Sequence, residues 1–276
     1  MTSLERAAQP AGWADRPELP APLQFLFDLA TITDSELRKL RHDPYELVTR
    51  AIQPVLWLLV FGQVLARSRA IDTGSLPYLD FLAPGVLAQS ALFAAIFFGM
   101  ATIWERDLGV LHTYLVSPAT RASLVAGKAL SAGVRSLSQA AVVYILSGVL
   151  GVTLRLEVVP LIGVALVIVL GSALFATFSL IIACLVRSRE RFMGIGQILT
   201  MPLFFASSAV YPVSLMPDWL KVVATINPLT YMVDALRQLM VNGTGTDPIA
   251  LDMGVLAVTA VVLIAIAARL YPRLAQ

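Results

Sequence analysis

The residues with the most chemical potential in this chain form a short charged run, Trp104-Glu105-Arg106-Asp107, placed where a long apolar stretch ends. Alternating acid and base of this kind suits ion pairing or general acid–base work. Catalysis, however, calls for a cluster of acid, base, nucleophile or metal ligands, and none surrounds it in the sequence. Gly127-Lys128 lacks both the spaced upstream glycine and the following Ser or Thr of a phosphate-binding loop. The single cysteine, Cys184, and the separated His42 and His112 have no metal-ligand spacing, and one cysteine forms no intrachain disulfide. No catalytic, metal-binding or cofactor-binding residue is therefore assigned, and the chain alone is not expected to be an enzyme. Charges at an apolar boundary are expensive to bury unless paired, so an opposite charge or water is expected beside Glu105 and Arg106.

Behind that run stand six apolar stretches, roughly Ile52 to Ala66, Leu82 to Ile103, Ala132 to Leu154, Pro160 to Val186, Ile195 to Tyr211 and Met253 to Ala268. A membrane-spanning helix needs about 20 mainly apolar residues, with a working range of about 17 to 25. Most of the six meet that length. The first gains from Arg50 and Arg67, whose stems carry their charges to the interface, and the last extends to Leu251 or Leu270. Hydrophobic residues make up 58% of the 276 and charged residues 14%, with a mean hydropathy of +0.79. A soluble domain carries about 25% charge, so too little is present to solvate a soluble surface. The expected fold class is an all-α integral membrane protein with six transmembrane helices. The first apolar run follows some fifty residues that include Glu5, Asp15, Glu18, Asp34 and Glu36, and no cleavable signal peptide is expected.

Assigning alternate connections to opposite sides leaves only Arg67, Arg69, Arg155, Lys221 and Arg237 on one side. The other fifteen of the 20 Lys and Arg share a side with both termini. The positive-inside rule then puts both termini in the cytoplasm. Arg187, Arg189 and Arg191 anchor the fourth connection there, with room for a partner or anionic-lipid contact.

The expected domains follow. Residues 1–22 read as a flexible tail, rich in Pro and Ala, and 23–50 as an amphipathic cytoplasmic helix with its connection. Its apolar arc is Phe25, Leu26, Leu29, Ile32, Leu37 and Leu40, which suits either the membrane interface or packing on another part of the protein. Residues 51–270 form the membrane domain and 271–276 a cytoplasmic end. Within the domain, segment 104–118 sets Val110, Leu111, Tyr114 and Leu115 on one helix face before the stop at Ser117-Pro118. Docking a soluble partner and sealing the bundle both fit such a helix. The largest external segment, 212–252, holds Tyr211-Pro212, Pro217-Asp218-Trp219, Asn227-Pro228 with Tyr231, and Asp234 with Arg237. Proline at a first helical position predicts two short helices near Pro217 and Pro228, the second capped by Asn227. Trp219 and Tyr231 suit a membrane interface. Small residues such as Gly99, Gly133, Gly171, Ser172 and Ser179 allow close helix approach, and Pro202 predicts a bend or an interrupted helix. Almost no ionisable side chain lies within the spans, which argues against a proton-coupled carrier and leaves the energy source elsewhere.

Taken in order, these motifs resemble the permease subunit of type-2 ABC exporters. Glu105-Arg106-Asp107-Leu108-Gly109-Val110-Leu111, closing on Leu115-Val116-Ser117-Pro118, looks like the family's coupling helix, with Asp107 where many relatives have glutamate and Val110 where threonine is common. Tyr211-Pro212, Pro217, Trp219, Asn227-Pro228, Tyr231 and Asp234 with Arg237 look like its C-terminal signature. The resemblance covers about Leu23 to Leu270 and extends to the daunorubicin-resistance and polysaccharide-export permeases. It implies ATPase coupling through Trp104, Glu105, Arg106, Asp107, Leu111, Leu115, Ser117 and Pro118, and a second copy of the permease bound to two separate ABC ATPase subunits. ATP and Mg2+ would sit on those partners and not on this chain. It further implies the prokaryotic inner membrane, a drug, lipid-like amphiphile or lipid-linked glycan as cargo, and no nucleic acid. A membrane scaffold that recruits a soluble protein through the same loop is the reading of a different class.

Overall fold

The structure is a computed structural model that describes residues 30, 31, 34, 52–68, 71–74, 76–108, 121–186, 188–241 and 248–271. Among these residues the chain is helical, with no strand. We number the helices α1, Ile52–Ser68; α2, Tyr78–Asp107; α3, Arg121–Val149; α4, Val158–Leu185; α5, Arg189–Phe205; α6, Asp218–Ile226; α7, Pro228–Met240; and α8, Ile249–Leu270. Four of them, α2, α3, α4 and α8, are long and apolar enough to cross a membrane. The 30 residues of α2 extend about 45 Å at 1.5 Å per residue. Hydrocarbon is about 30 Å thick, so α2 is longer than a crossing needs, and the charged turn Glu105 to Asp107 is the part of it least suited to lipid.

Most of α2 is buried, 72% of its apolar window against 17% for α8. That contrast makes α2 the central post of the bundle and α8 a peripheral helix. Leu82, Val86, Leu87 and Leu92 of α2 meet Val167, Ile168, Leu174 and Phe175 of α4 and Leu229, Met232, Val233 and Leu236 of α7 in one core. A second, smaller core at the other end joins Ile103, Leu124, Phe192, Ala267 and Tyr271. Hydrophobicity alone does not hold helices together in lipid, where close packing must contribute. Accordingly, Gly99 on α2 lies against Ser179 on α4, whose hydroxyl donates to the Ile96 carbonyl at 2.7 Å. Gly133 on α3 likewise faces the backbone of Val169.

Several boundaries differ from those read in the sequence. The third apolar stretch begins at Ala132, but α3 begins at Arg121, because Leu124 and Val125 pack into the small core and Ser123 and Lys128 are buried as well. The fifth runs from Ile195 to Tyr211, whereas α5 occupies Arg189–Phe205. Ser188 caps its start by accepting from the Arg191 amide at 3.4 Å, and the helix stops within a turn of Pro202. Within α1 a π-helical segment runs over Trp57–Gly62, where Trp57 meets the Phe204 ring edge-on at 5.3 Å. Of the expected amphipathic helix at 25–41, only Ala30, Thr31 and Asp34 are described, all helical and exposed.

Candidate functional site

Two polar clusters cap the bundle at opposite ends. At the C-terminal end of α2, the Glu105 carboxylate pairs with the Lys128 ammonium of α3. Lys128 is 2% exposed and Glu105 17%, so this pair sits largely out of water. Burying a lone ammonium there would cost several kcal/mol, and the carboxylate removes much of that cost. Three residues further along α3, the Ser131 hydroxyl donates to the Lys128 carbonyl at 2.7 Å. Glu105 therefore welds the end of α2 to the start of α3.

Asp107, two residues on, faces another way. Arg106 reaches it at 3.0 Å and Arg189, the first residue of α5, at 2.8 Å. Hydrogen bonding from Arg106, and then from Arg189, holds the Asp107 carboxyl below the usual carboxylate range. The Arg189 guanidinium also lies over the Trp104 ring at 5.4 Å from its centre. Trp104 itself is 52% exposed, so the contact leaves much of its ring open to a neighbour. Trp104, Glu105 and Asp107 at one helix end thus contact two other helices. Of the residues assigned to coupling, Trp104, Glu105, Arg106 and Asp107 are brought together here, while Leu111, Leu115, Ser117 and Pro118 lie outside the described residues. Sequence reasoning missed Lys128 and Arg189 as the partners. The available signal was a lone lysine among Ser, Ala and Gly positions on α3, and a basic residue next to the Ser188 cap.

At the opposite end, α7 supplies the organising side chains. Asn227 accepts from the Leu229 amide at 3.0 Å, capping α7, while its amide group donates to the carbonyls of Leu203 at 2.7 Å and Ala206 at 3.2 Å. One buried side chain thus closes the start of α7 and the end of α5. Pro228 occupies the first turn of α7, and Pro217 stands immediately before α6. Arg237 is 4% exposed and donates to the Ser208 carbonyl at 2.7 Å and the Phe81 carbonyl at 3.4 Å. Its guanidinium lies 3.9 Å above the Phe81 ring and 4.0 Å from Asp234. Burial lowers the Arg237 pKa to about 10, opposed by Asp234, so it remains a cation at neutral pH. Gln238 donates to both Asp234 and Asp252 at 3.2 Å.

Three tyrosines tie backbone. Tyr211 donates to the Phe205 carbonyl, Tyr231 to that of Thr225 at 2.8 Å, and Tyr78 to that of Val210 at 3.2 Å. Pro212 precedes a single turn at Val213–Leu215. Trp219 is 69% exposed on α6, and Val222 and Ile226 are also exposed. Signature residues Asn227, Asp234 and Arg237 thus converge on the interior, and Trp219 does not. Sequence reasoning also missed the partners Phe81 and Ser208, which sit far from Arg237 in the chain. Among the described residues, no group of three His, Cys, Asp or Glu could hold a metal ion.

Chemically, both clusters hold helices together; among the described residues neither assembles a nucleophile with a base. Comparison with known proteins gives a match to the family model described as "ABC-2 type transporter" over residues 28–241. The putative transport permease ycf38 of Cyanophora paradoxa is 28% identical over 218 residues, covering 77% of this chain and 74% of that protein. The daunorubicin resistance ABC transporter permease protein DrrB1 of Streptomyces coeruleorubidus is 24% identical over 231 residues, 84% of this chain and 81% of its own. Nodulation protein J of Bradyrhizobium diazoefficiens is 30% identical over 215 residues, 75% and 77% respectively.

Proposed function

This chain belongs to the ABC-2 type transporter family, and on that premise we propose that it is the membrane subunit of an ATP-driven exporter whose nucleotide is hydrolysed on separate subunits. The observation that carries the proposal is the junction at the end of α2. Because Glu105 fastens α2 to α3 and Asp107 fastens it to α5, a push on the segment that follows Asp107 moves three helices together. A polar joint held by ion pairs in a partly dry site is stiff enough to carry such a push. The half-exposed Trp104 beside it offers an aromatic contact to an incoming soluble subunit.

In this proposal two ATPase subunits, holding ATP and Mg2+, dock at the Glu105 end, which faces the cytoplasm with both termini. The membrane is the prokaryotic inner membrane. The helices α1 and α5 complete six crossings. Each has 17 residues, the short end of the working range for a span. Both also carry exposed apolar residues, among them Leu56, Val60 and Val64 on α1 and Met193, Ile198 and Met201 on α5. Lipid and a second copy of the permease cover these faces, with α1, α2 and α5 bordering the route between the copies. Asn227, Arg237 and Trp219 then belong to the outer end.

The cargo we favour is a drug or lipid-like amphiphile, on the similarity to a permease named for daunorubicin resistance. A lipid-linked polysaccharide is the alternative cargo. The test is the chain purified with its ATPase and reconstituted in lipid vesicles, assayed for ATP-dependent movement of an anthracycline, short-chain lipids and a lipid-linked glycan. ATP-dependent accumulation of one class identifies the cargo. A chain that binds a soluble protein but moves none of them, and leaves ATP hydrolysis unchanged on assembly, is a scaffold.

A further inference from the structure

The early start of α3 moves one cation into the middle of a membrane-length helix. An apolar stretch beginning at Ala132 would leave Arg135 near the edge of a span, but in the structure it stands midway between Arg121 and Val149, the ends of α3. A charge at that depth is expensive in hydrocarbon and calls for an anion, water or a route to the interface. Among the described residues no carboxylate pairs with it. The Ser138 hydroxyl, one turn along, donates at 2.6 Å to the Arg135 carbonyl and leaves the guanidinium alone. Nε is buried without a partner while the side chain as a whole is part-exposed, so the guanidinium is seated at its inner edge and open at Nη1 and Nη2.

The opening lies on the flank of the bundle. Gly133 turns one face of α3 to the backbone of Val169 on α4. On a different face Val134, Ser138, Ala141 and Ile145 follow the i, i+4, i+7 and i+11 spacing of a single stripe, and all four are at least part-exposed. Ile145 is 69% exposed, which makes this a surface for lipid, and Arg135 stands at the stripe's edge.

Few anions can reach that place. The acids on α1 to α5 and on α8 are Asp80, Glu105, Asp107, Glu190 and Asp252, and each lies within a turn of a helix end. A second copy packed on α3 would therefore bring no carboxylate from these helices to the depth of Arg135. Lipid brings a phosphate. Side chains on a helix lean toward its N-terminus, and the N-terminal part of α3 is where Lys128 meets Glu105. Arg135 lies about 10 Å further along the axis, at 1.5 Å per residue, and its long stem carries the charge back over part of that distance. Two Nη donors in one plane fit two phosphate oxygens.

We propose that Arg135 binds the phosphate of an acidic phospholipid, in the leaflet at the Glu105 end, as a resident lipid on the flank of α3 and not as cargo. The inference rests on the chain lying in a membrane and not on ATP-driven movement. Its assay contains neither ATP nor cargo, so its failure leaves the transport proposal as it was.

The full chain, purified in detergent, is titrated with phosphatidylglycerol or phosphatidylcholine, and lipid occupancy is read by native mass spectrometry. The variants are Arg135→Gln and, as a control, Arg121→Gln, which removes an exposed cation from the first residue of the same helix. Arg135→Gln takes a charge out of hydrocarbon and should keep the thermal midpoint of the parent. We expect the parent to hold one phosphatidylglycerol per chain about 5- to 20-fold more tightly than phosphatidylcholine, the size of one charge-assisted contact. Arg135→Gln should bring the two lipids level, and Arg121→Gln should retain most of the preference. A parent without preference for phosphatidylglycerol overturns the proposal, as does a preference that survives Arg135→Gln. A preference that falls equally in both variants overturns it too, since it reports general attraction of acidic lipid to the basic end of the bundle. Displacement of the lipid by millimolar inorganic phosphate would reveal a water-reached anion site and overturn the lipid assignment. Phosphatidylglycerol held only by dissociated single chains would make a second copy the occupant of this flank, with the same consequence.

Discussion

Replacing Glu105 with Gln keeps the shape of the side chain and removes its charge. Lys128, 2% exposed, then faces an amide where it had a carboxylate. Breaking a buried ion pair from one side costs about 3–5 kcal/mol, and because Glu105 retains some water contact we place the loss at about 2–4 kcal/mol. Removing both charges, as in Glu105→Gln with Lys128→Met, leaves no stranded ammonium, so most of that loss returns. A double-mutant cycle measures this directly. Denaturant unfolding of the purified complex should show a clear loss for either single variant and a double variant more stable than the sum of the two losses requires. ATP-dependent transport in vesicles should follow the same order, with transport per ATP falling several-fold in Glu105→Gln and recovering in part in the double variant. Strict additivity would show that the two side chains do not act on each other. An intact Glu105→Gln complex with unchanged ATP-dependent transport would refute the coupling role.

Three other residues offer independent checks. Asn227→Ala removes the α7 cap and strands the Leu203 and Ala206 carbonyls, for an expected loss of about 2–4 kcal/mol in denaturant unfolding; Asn227→Ser, which restores the cap alone, should fall between. The Asp107 carboxyl is held low by Arg106 and Arg189, so its contribution is present above the ordinary carboxylate pKa of about 4 and is lost as pH falls through the lowered value. Asp107→Asn should therefore lower stability at neutral pH and flatten the acid side of the stability profile, read by thermal unfolding across pH. A methyl group at Gly85 would collide with the Ala209 backbone, so Gly85→Ala should force the connection after α5 outward and lower the thermal midpoint, at a cost of about 1–3 kcal/mol.

The apolar framework was legible because its signal is local. A run such as Val158 to Leu185 declares a membrane helix whatever its neighbours do, and the Asn227-Pro228 pair declares a helix start, since cap and first-turn proline act within a few residues. The ends of α3 and α5 were not legible in the same way. Arg121 to Lys128 is too polar to read as a span, and it is helical because Leu124 and Val125 have a place in the small core and Lys128 a partner in Glu105. The start of α5 depends on Ser188 and its end on Asn227, a residue more than twenty positions away.

The same division holds for the polar clusters. That Glu105 needed an opposite charge follows from the cost of burying it. That the charge is Lys128 and not Arg106, its neighbour in sequence, follows from how α2 and α3 pack. Arg106 pairs with Asp107, and the helix packed beside Glu105 brings Lys128 to it. Arg237 presents the reverse case. Its buried position is maintained by carbonyls of Ser208 and Phe81, acceptors that every residue possesses and no sequence pattern marks. A charge satisfied by other charges leaves a trace in composition, whereas one satisfied by backbone leaves none. For this chain the first kind sits at the end proposed for energy input and the second at the opposite end. At the α2 end electrostatic substitutions should therefore act most sharply at Glu105, whose partner Lys128 is 2% exposed, while at the Arg237 end changes that move backbone, such as those at Gly85 and Asn227, should also carry large effects.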